Sequence, residues 1–263
     1  MPEAKHFCID RILPEDHQIL SEPSVPFAQR LALLTGKTWK TGQQIDVWLI
    51  NPSSQQAAEF QEAAEEWMRY ANVDIRVTNQ RSAIVRVTFD PTQGAWSLLG
   101  TDATRVGRQP TMNLGFNSPG TYLHEIGHML GAIHEHQNPQ GGIEWDREAV
   151  IRDLIGPPNY WDGRTIHRNM FHKYDEDLTN GSKVDPHSIM LYAIPDHWTL
   201  DGFSSEPNVR LSDLDKQWIR QQYPKEMIDL DAEPKPEPVR PIGLPTAFTM
   251  EFADGQKQRF EAT

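Results

Sequence analysis

The sequence lacks the features that stabilise very small folds or anchor a chain in a membrane. Its 263 residues contain one cysteine, Cys8, so no disulfide can form within the chain and a small disulfide-stabilised scaffold is excluded. No run of about 18 apolar residues is present, which excludes a membrane-spanning helix. The amino-terminal stretch also lacks the apolar core of a secretory signal. We therefore expect no membrane partner and a cytoplasmic location by default, with non-classical export as the alternative.

Basic residues are also scarce. The chain has 25 lysines and arginines against 37 acidic residues, a formal charge of -12 at pH 7. Nucleic acids and anionic membranes attract proteins through basic surfaces, so this balance excludes nucleic acid as the main partner. Hydrophobic residues make up 38% of the chain, enough at this length to bury a core. No pattern in the sequence specifies the oligomeric state.

The first clear hydrophobic pattern in the chain, from Ile45 onwards, predicts a sheet covered by a helix. Ile45, Val47 and Leu49 alternate with polar positions, which is typical of a strand. Residues 51–54 then supply a turn and a helix cap, and apolar residues at helical spacing continue the helix to Tyr70. Two further alternating runs predict two more strands, at 73–77 and 83–89.

The second half of the chain contains fewer regular patterns. Helices are predicted at 119–131, capped by Ser118, at 146–154 and at 212–222, and most other residues between 132 and 210 are expected to be irregular. Five of the twelve residues from 234 to 245 are proline, which indicates an extended linker.

These patterns divide the chain into four segments. A β-hairpin with an Asp-Gly turn is predicted after the linker. The expected segments are an N-terminal segment (1–39), a main domain (40–224), a proline-rich linker (225–245) and a C-terminal hairpin (246–263).

The most informative stretch contains three histidines at metal-ligand spacing. His124 and His128 are four residues apart, so on a helix both imidazoles face the same side. Glu125 lies one step round the helix, where it can hold a water bound to the metal. Gly131 permits the turn that returns His134 as a third ligand. A bare His-x-x-x-His pair often occurs by chance, but the extended pattern predicts a zinc site with one open position.

The stretch His124–Glu135 resembles the zinc signature of the metzincin metallopeptidases, and a glutamate directly after the third histidine is typical of the astacin-like family. Residues 188–192, Ser-Ile-Met-Leu-Tyr, resemble the Met-turn of that family. The resemblance covers about residues 40–224. It implies that Met190 lies beneath the zinc and that Tyr192 is an extra ligand that swings away to stabilise the tetrahedral intermediate. The alternative for Tyr192 is an ordinary buried tyrosine.

The resemblance also implies the fold and the reaction. The fold would be α+β, with a metzincin-like zinc peptidase domain: a twisted mixed sheet, an active-site helix and a mostly irregular lower subdomain. The expected function is a zinc endopeptidase that hydrolyses peptide or protein substrates, with Glu125 as general base. The alternative is a catalytically silent or latent zinc-bearing binding or regulatory protein. Retention of Glu125 favours the peptidase, because a zinc scaffold needs no base beside the metal.

A second region resembles the substrate-binding edge strand of astacins. Trp96, Ser97 and Leu98 are predicted to pair with an extended peptide through backbone hydrogen bonds. The alternative for Trp96 is a core or lid aromatic. His136, two residues after the third ligand, is expected to point away from the zinc as a surface residue or as a residue outside the ligand shell.

The sequence departs from the astacin pattern in ways that concern activation. Astacin domains usually contain two disulfides, which a single cysteine cannot form, and Leu191 replaces the usual histidine after the Met-turn methionine. Some metzincins are kept latent by a propeptide cysteine and astacins by a propeptide aspartate. Cys8 and Asp10 are therefore candidate latch residues, with residues 1 to about 35 in the cleft. The alternative for Cys8 is a plain buried cysteine.

Overall fold

The computed structural model describes three long stretches of the chain and several shorter parts. These are residues 36–138, 142–172 and 184–225, the strands 247–251 and 257–261, and positions 8, 9, 11, 13 and 16 of the N-terminal segment. The chain forms two units, residues 1–225 and residues 226–263. Asp10, one of the two candidate latch residues, lies outside the described residues.

The upper half of the first unit is built on a mixed sheet of five strands. Its strands are β1 (Gln44–Leu49), β2 (Asp74–Val77), β3 (Val85–Thr88), β4 (Ala95–Ser97) and β5 (Met112–Leu114). Their spatial order is β2-β1-β3-β5-β4, and only β4 is antiparallel to its neighbour. The strands predicted from alternating apolar residues are confirmed, and β4 forms one edge of the sheet. The zinc-site helix described below follows β5 in the chain and packs against β4.

The first helix, α1 (Ser54–Met68), covers the sheet as the apolar spacing predicts. Its cap is reciprocal: Ser53 accepts a hydrogen bond from the backbone of Gln56, and the Gln56 side chain accepts one from the backbone of Ser53. The buried face includes Trp67, whose indole nitrogen donates to the carbonyl of Leu123 at 2.9 Å. That hydrogen bond joins α1 to the helix that carries the zinc site.

The other helices are short, and the predicted irregular lower half is confirmed. They are α2 (Pro119–Met129), α3 (Arg147–Leu154), α4 (Gly163–Ile166) and α5 (Asp213–Gln222), with 3-10 turns at Pro91–Gln93, Gly100–Thr104, Glu135–Gln137 and Asp196–Trp198 and a π-helical turn at His167–Phe171. None of the helices in the described stretches is long and apolar enough to cross a membrane. The lower half has its own apolar core, which includes Met170, Trp198 and the N-terminal Cys8.

One buried carboxylate joins the last helix to the chain beneath the zinc site. Asp215 accepts hydrogen bonds from the Ser188 hydroxyl at 2.7 Å and from the Ile189 backbone at 2.8 Å. It also closes the capping box of α5 with Ser212. Burial raises the pKa of Asp215, although these hydrogen bonds oppose the rise. Residues 188 and 189 are thereby held at a fixed distance from α5.

The second unit contains two paired strands. Strands β6 (Ala247–Glu251) and β7 (Lys257–Glu261) run antiparallel, with Ala247 opposite Glu261 and Glu251 opposite Lys257. The predicted Asp-Gly turn and the proline-rich linker lie outside the described residues.

Replacing Asp215 by alanine is expected to lower the free energy of unfolding by about 3 kcal/mol. The change leaves buried donors on Ser188 and Ile189 without their charged acceptor and removes half of a capping box. Urea denaturation of the zinc-loaded protein measures the difference. Asp213→Ala is the matched control, because Asp213 lies in the same helical turn with a fully exposed side chain and should change stability little. Equal effects of the two substitutions would contradict the role given to Asp215.

Candidate metal centre

The zinc-site helix and the turn after it bring the three predicted histidines together. His124 and His128 lie one turn apart on α2, which begins at Pro119 as predicted. Ser118 occupies the predicted cap position, but its side chain makes no capping hydrogen bond. Gly131 has a φ of +97°, which favours glycine, and this left-handed turn ends the helix. The chain then returns His134 to the same point.

The imidazole nitrogens of the three histidines converge. The Nε2 atoms of His124 and His134 are 3.1 Å apart, those of His128 and His124 are 3.1 Å apart, and those of His128 and His134 are 3.2 Å apart. Tetrahedral zinc with bonds of about 2.0–2.1 Å separates its nitrogen ligands by about 3.3–3.4 Å. The cluster therefore matches the size of a zinc coordination shell.

The Nδ1 atoms of two of these rings show which tautomer those two histidines adopt. His124 Nδ1 lies 2.7 Å from the carbonyl oxygen of Ile189, and His128 Nδ1 lies 2.7 Å from that of Ala132. A carbonyl only accepts hydrogen bonds, so each Nδ1 carries the proton. The Nε2 atoms of these two rings consequently carry lone pairs, which face each other and the Nε2 of His134. Burial lowers the pKa of His134 well below its ordinary value and so favours its neutral form. Converging lone pairs repel unless a cation lies between them, so this donor set fits zinc.

The N-terminal segment adds a sulfur to the cluster. Cys8 and the three histidines offer one ligand atom each, and these four atoms all lie within 4.8 Å of one another. The Cys8 side chain is buried. Three histidines alone leave a zinc position open, whereas a thiolate as the fourth ligand closes it.

The predicted Met-turn lies beneath the helix. Met190 is buried, and a Cβ added to Gly127 of α2 would lie 2.4 Å from its sulfur. The backbone carbonyl of Met190 accepts a hydrogen bond from the backbone of Glu135 at 3.0 Å. Because Gly127 lies between His124 and His128 in sequence, this close packing sets the height of the helix over the Met-turn.

Tyr192 lies beside the ligands and bonds to the N-terminal segment. Its ring centroid is 4.4 Å from that of His134, and its hydroxyl donates to the backbone carbonyl of Cys8 at 2.6 Å. The side chain is 4% exposed. The hydroxyl of Tyr192 therefore points to the peptide backbone of the segment that reaches the metal centre.

The two glutamates of the motif are both withdrawn from solvent. Glu125, on the same helical turn as His124, is fully buried. Glu135 accepts a hydrogen bond from the backbone of Asp185 at 3.1 Å, and burial raises its pKa to about 7. A buried carboxylate next to a metal ligand is a suitable proton acceptor, which is the role predicted for Glu125.

The predicted substrate strand is in contact with the N-terminal segment. The backbone of Ile9 donates to the carbonyl of Ala95 at 3.1 Å, and Arg11 forms a parallel bridge with Leu98. The Arg11 guanidinium lies 3.6 Å from the centre of the Trp96 ring. Trp96 and the other two predicted substrate residues, Ser97 and Leu98, are all buried with this segment in place. An extended piece of the chain thus lies along the edge strand and reaches the metal centre.

Of the two positions predicted for His136, the surface position is wrong, and the side chain lies buried next to the ligand cluster without belonging to it. The side chain is 1% exposed, its Nε2 lies 2.6 Å from the carbonyl oxygen of Asn169, and its ring centroid is 4.6 Å from that of Tyr192. The 3-10 turn Glu135–Gln137 follows the third ligand directly and turns His136 inward. The only sequence signal was its position two residues after His134, which does not specify that turn.

Comparison with known proteins places the chain in a family. The model of the astacin peptidase family matches residues 34–199. The chain is similar to a solved structure of myroilysin, with 35% identity, a TM-score of 0.70, and coverage of 73% of this chain and 98% of that one. It is 28% identical to bone morphogenetic protein 1 of Xenopus laevis over 160 residues, which are 60% of this chain and 21% of that protein. It is also 28% identical to zinc metalloproteinase nas-23 of Caenorhabditis elegans over 116 residues, 43% of this chain and 19% of that protein.

The chain belongs to the astacin family of zinc metallopeptidases. It spans about a fifth of the length of the curated relatives it matches. The expected α+β metzincin-like fold and the expected zinc cofactor are confirmed, since the histidine cluster lies where the family's metal binds.

Replacing Gly127 by alanine is expected to weaken zinc binding about tenfold. In an open helix this change would stabilise the protein, because alanine is the better helix former by about 1 kcal/mol. Here the new Cβ would lie 2.4 Å from the Met190 sulfur and 3.2 Å from Trp67, which forces the helix away from the Met-turn. Competition with a chromophoric chelator measures the affinity. The control is Gly163→Ala, in α4, where a new Cβ meets no atom within 4 Å.

Met190→Ala in the Gly127→Ala background should recover part of the lost zinc affinity, because it removes the sulfur that the new methyl group meets. Unchanged affinity in Gly127→Ala would contradict the proposed packing between helix and Met-turn.

Proposed function

We propose that this protein is a zinc-dependent endopeptidase. The observation that carries the proposal is the set of three buried imidazoles whose Nε2 atoms converge, next to the buried carboxylate of Glu125 on the helix that carries two of them. A binding scaffold would need the ligands but not the carboxylate. Family membership supports the same reaction class.

Each residue of the site has a role in peptide hydrolysis. Zinc, held by His124, His128 and His134, would supply Lewis acidity that lowers the pKa of a water and polarises the scissile carbonyl. The Glu125 carboxylate would accept the proton of that water and deliver it to the leaving amine. The Tyr192 hydroxyl would donate a hydrogen bond to the oxyanion, as it donates one to the Cys8 carbonyl in this structure.

The edge strand supports cleavage within a chain rather than at its ends. Peptide backbone at Ile9 already pairs with Ala95, and the segment continues to Leu98 along the strand. A groove that binds extended backbone on an edge strand accepts a peptide that continues beyond the site, which suits an endopeptidase.

We also propose that the N-terminal segment keeps the enzyme latent, with the Cys8 thiolate as fourth zinc ligand. The sulfur is within 4.8 Å of all three histidine ligand atoms, and the Cys8 carbonyl accepts the Tyr192 hydroxyl that the reaction would use. The segment would therefore fill the open coordination position of the zinc, and it already accepts the hydrogen bond of the Tyr192 hydroxyl. Pairing of Ile9 with Ala95 places the same segment where a substrate backbone would lie.

Replacing Glu125 by glutamine in a protein whose latch is removed by Cys8→Ala is expected to reduce casein cleavage at least a thousandfold without loss of zinc. The amide keeps the size of the side chain but cannot accept the proton. Cleavage should also stop on chelation and return with zinc. The matched control is Glu62→Gln on the exposed face of α1, which should leave cleavage unchanged.

Full cleavage activity in the Glu125→Gln variant would contradict the role of Glu125 as general base. A chain that binds one zinc and cleaves nothing, even after Cys8→Ala, would instead support the zinc-bearing binding or regulatory protein.

Replacing Cys8 by alanine is expected to raise cleavage of a peptide library at least tenfold, because the fourth zinc position opens. Substitution with cobalt provides a readout that does not depend on turnover: the thiolate-to-cobalt charge-transfer band of the unmodified chain should be absent in Cys8→Ala. Asp10→Ala is measured in parallel. A larger rise in Asp10→Ala than in Cys8→Ala, together with the absence of the thiolate band, would assign the latch to the aspartate.

A further inference from the structure

A second contact of the N-terminal segment lies beyond the metal centre, in a buried cluster of charges. Asp16 accepts hydrogen bonds from Lys37 at 2.6 Å and from Arg105 at 2.5 Å. Both cations also pair with Asp102. The side chains of Asp16, Lys37 and Asp102 are 2–3% exposed, whereas Arg105 is 39% exposed. The cluster thus balances two carboxylates against two cations.

Three members of this cluster belong to the peptidase domain. The astacin family match covers residues 34–199, which includes Lys37, Asp102 and Arg105 but not Asp16. The backbone of Lys37 is held by that domain, because its carbonyl accepts a hydrogen bond from Thr101 at 2.8 Å. Gly100 makes this approach possible, since any Cβ there would overlap the Lys37 carbonyl. Lys37 therefore stays in place when the part of the N-terminal segment that carries Asp16 leaves.

Departure of the segment unbalances the cluster. One carboxylate, Asp102, would remain against two cations, the buried Lys37 and the 39% exposed Arg105, which favours a second carboxylate in the vacated position. Burial alone raises the pKa of Asp16, but hydrogen bonds from Arg105 and Lys37 outweigh it and hold that pKa below its ordinary value. The position vacated by Asp16 is thus built to bind a carboxylate.

The vacated position lies along the substrate groove. The segment runs from Cys8 at the metal past Ala95 and Leu98, parallel to β4. The 3-10 turn Gly100–Thr104, which carries Asp102, follows β4 directly in the chain. At about 3.3 Å per extended residue, β4 itself spans roughly 10 Å, and the cluster lies beyond its end in the chain. A substrate on the same strand would reach it with a residue about three or more positions from the cleaved bond.

We propose that Lys37 and Arg105 form a carboxylate-binding subsite that holds Asp16 in the latent chain and an acidic side chain of the peptide substrate in the active enzyme. The proposal deepens the peptidase function and rests on it. One carboxylate position then serves both as second anchor of the latch and as a determinant of substrate choice, so Asp16 and acidic substrates compete for it.

The test uses the full chain with Cys8→Ala and Asp16→Asn, which removes both anchors of the segment. A peptide library compares aspartate and glutamate with asparagine and glutamine at every position. We expect about tenfold higher kcat/KM for an acidic residue at one position three or more residues from the cleaved bond, mostly through KM, because a charged hydrogen bond to a partly buried cation is lost with the amide. Restoring Asp16 should raise KM for that acidic peptide but not for its amide counterpart.

Arg105→Gln in the same background should reduce the acidic preference to less than threefold. The matched control is Arg108→Gln, three residues further along the same loop, where an exposed arginine makes no ion pair with the described residues. It should keep the full preference. Absence of any acidic preference, or its survival in Arg105→Gln, would overturn the subsite.

A binding measurement decides the same question without turnover. The probe is a fluorescent peptide with the sequence of residues 7–17 and alanine in place of the cysteine, and the protein also carries Glu125→Ala. This probe should bind about tenfold more tightly than its version with asparagine at the Asp16 position, and Arg105→Gln should abolish the difference. Discrimination without cleavage by the active form would keep the subsite and end the peptidase proposal. Cleavage without discrimination would keep the peptidase proposal and overturn the subsite.

Discussion

The structure is organised around three imidazole rings whose Nε2 atoms converge on one point. His124 and His128 are neutral with the proton on Nδ1, because each Nδ1 faces a carbonyl oxygen at 2.7 Å. Their Nε2 atoms and that of His134 would repel if no cation were bound. The surrounding features serve to keep these rings in place: the glycine turn at Gly131, the Met-turn beneath Gly127 and the hydrogen bond from Trp67 to α2.

The N-terminal segment adds a ligand atom to the metal site and also contacts the edge strand beside it. Its thiol supplies a fourth ligand atom, its backbone pairs with the edge strand, and its Asp16 completes a buried charge cluster. In the proposed function, each contact corresponds to one that a bound peptide would make: a group at the metal, a strand partner, and an acidic side chain beside two cations. Under these proposals, latency and substrate recognition would use the same surfaces.

Local patterns predicted much of the fold and the central chemistry. Alternating residues specified strands such as β1, and helical spacing after a helix cap specified α1, because both depend on neighbours in the chain. The histidine spacing on α2 also acts within two helical turns. The resemblance to astacins extended this to Met190 and Tyr192, which lie some sixty residues from the helix and could not be placed by spacing.

What the sequence determined by itself is the three histidines at ligand spacing, the glutamate beside them and most of the longer helices and strands, since periodicity and short spacing express those directly. Tertiary structure alone decided the inward turn of His136, the reach of Cys8 to the histidines, and the meeting of Asp16 with Lys37 and Arg105. These contacts join residues far apart in the chain or follow a turn that no pattern specifies. A lone cysteine or aspartate has no periodicity, so its partner becomes known only when the fold brings the two together.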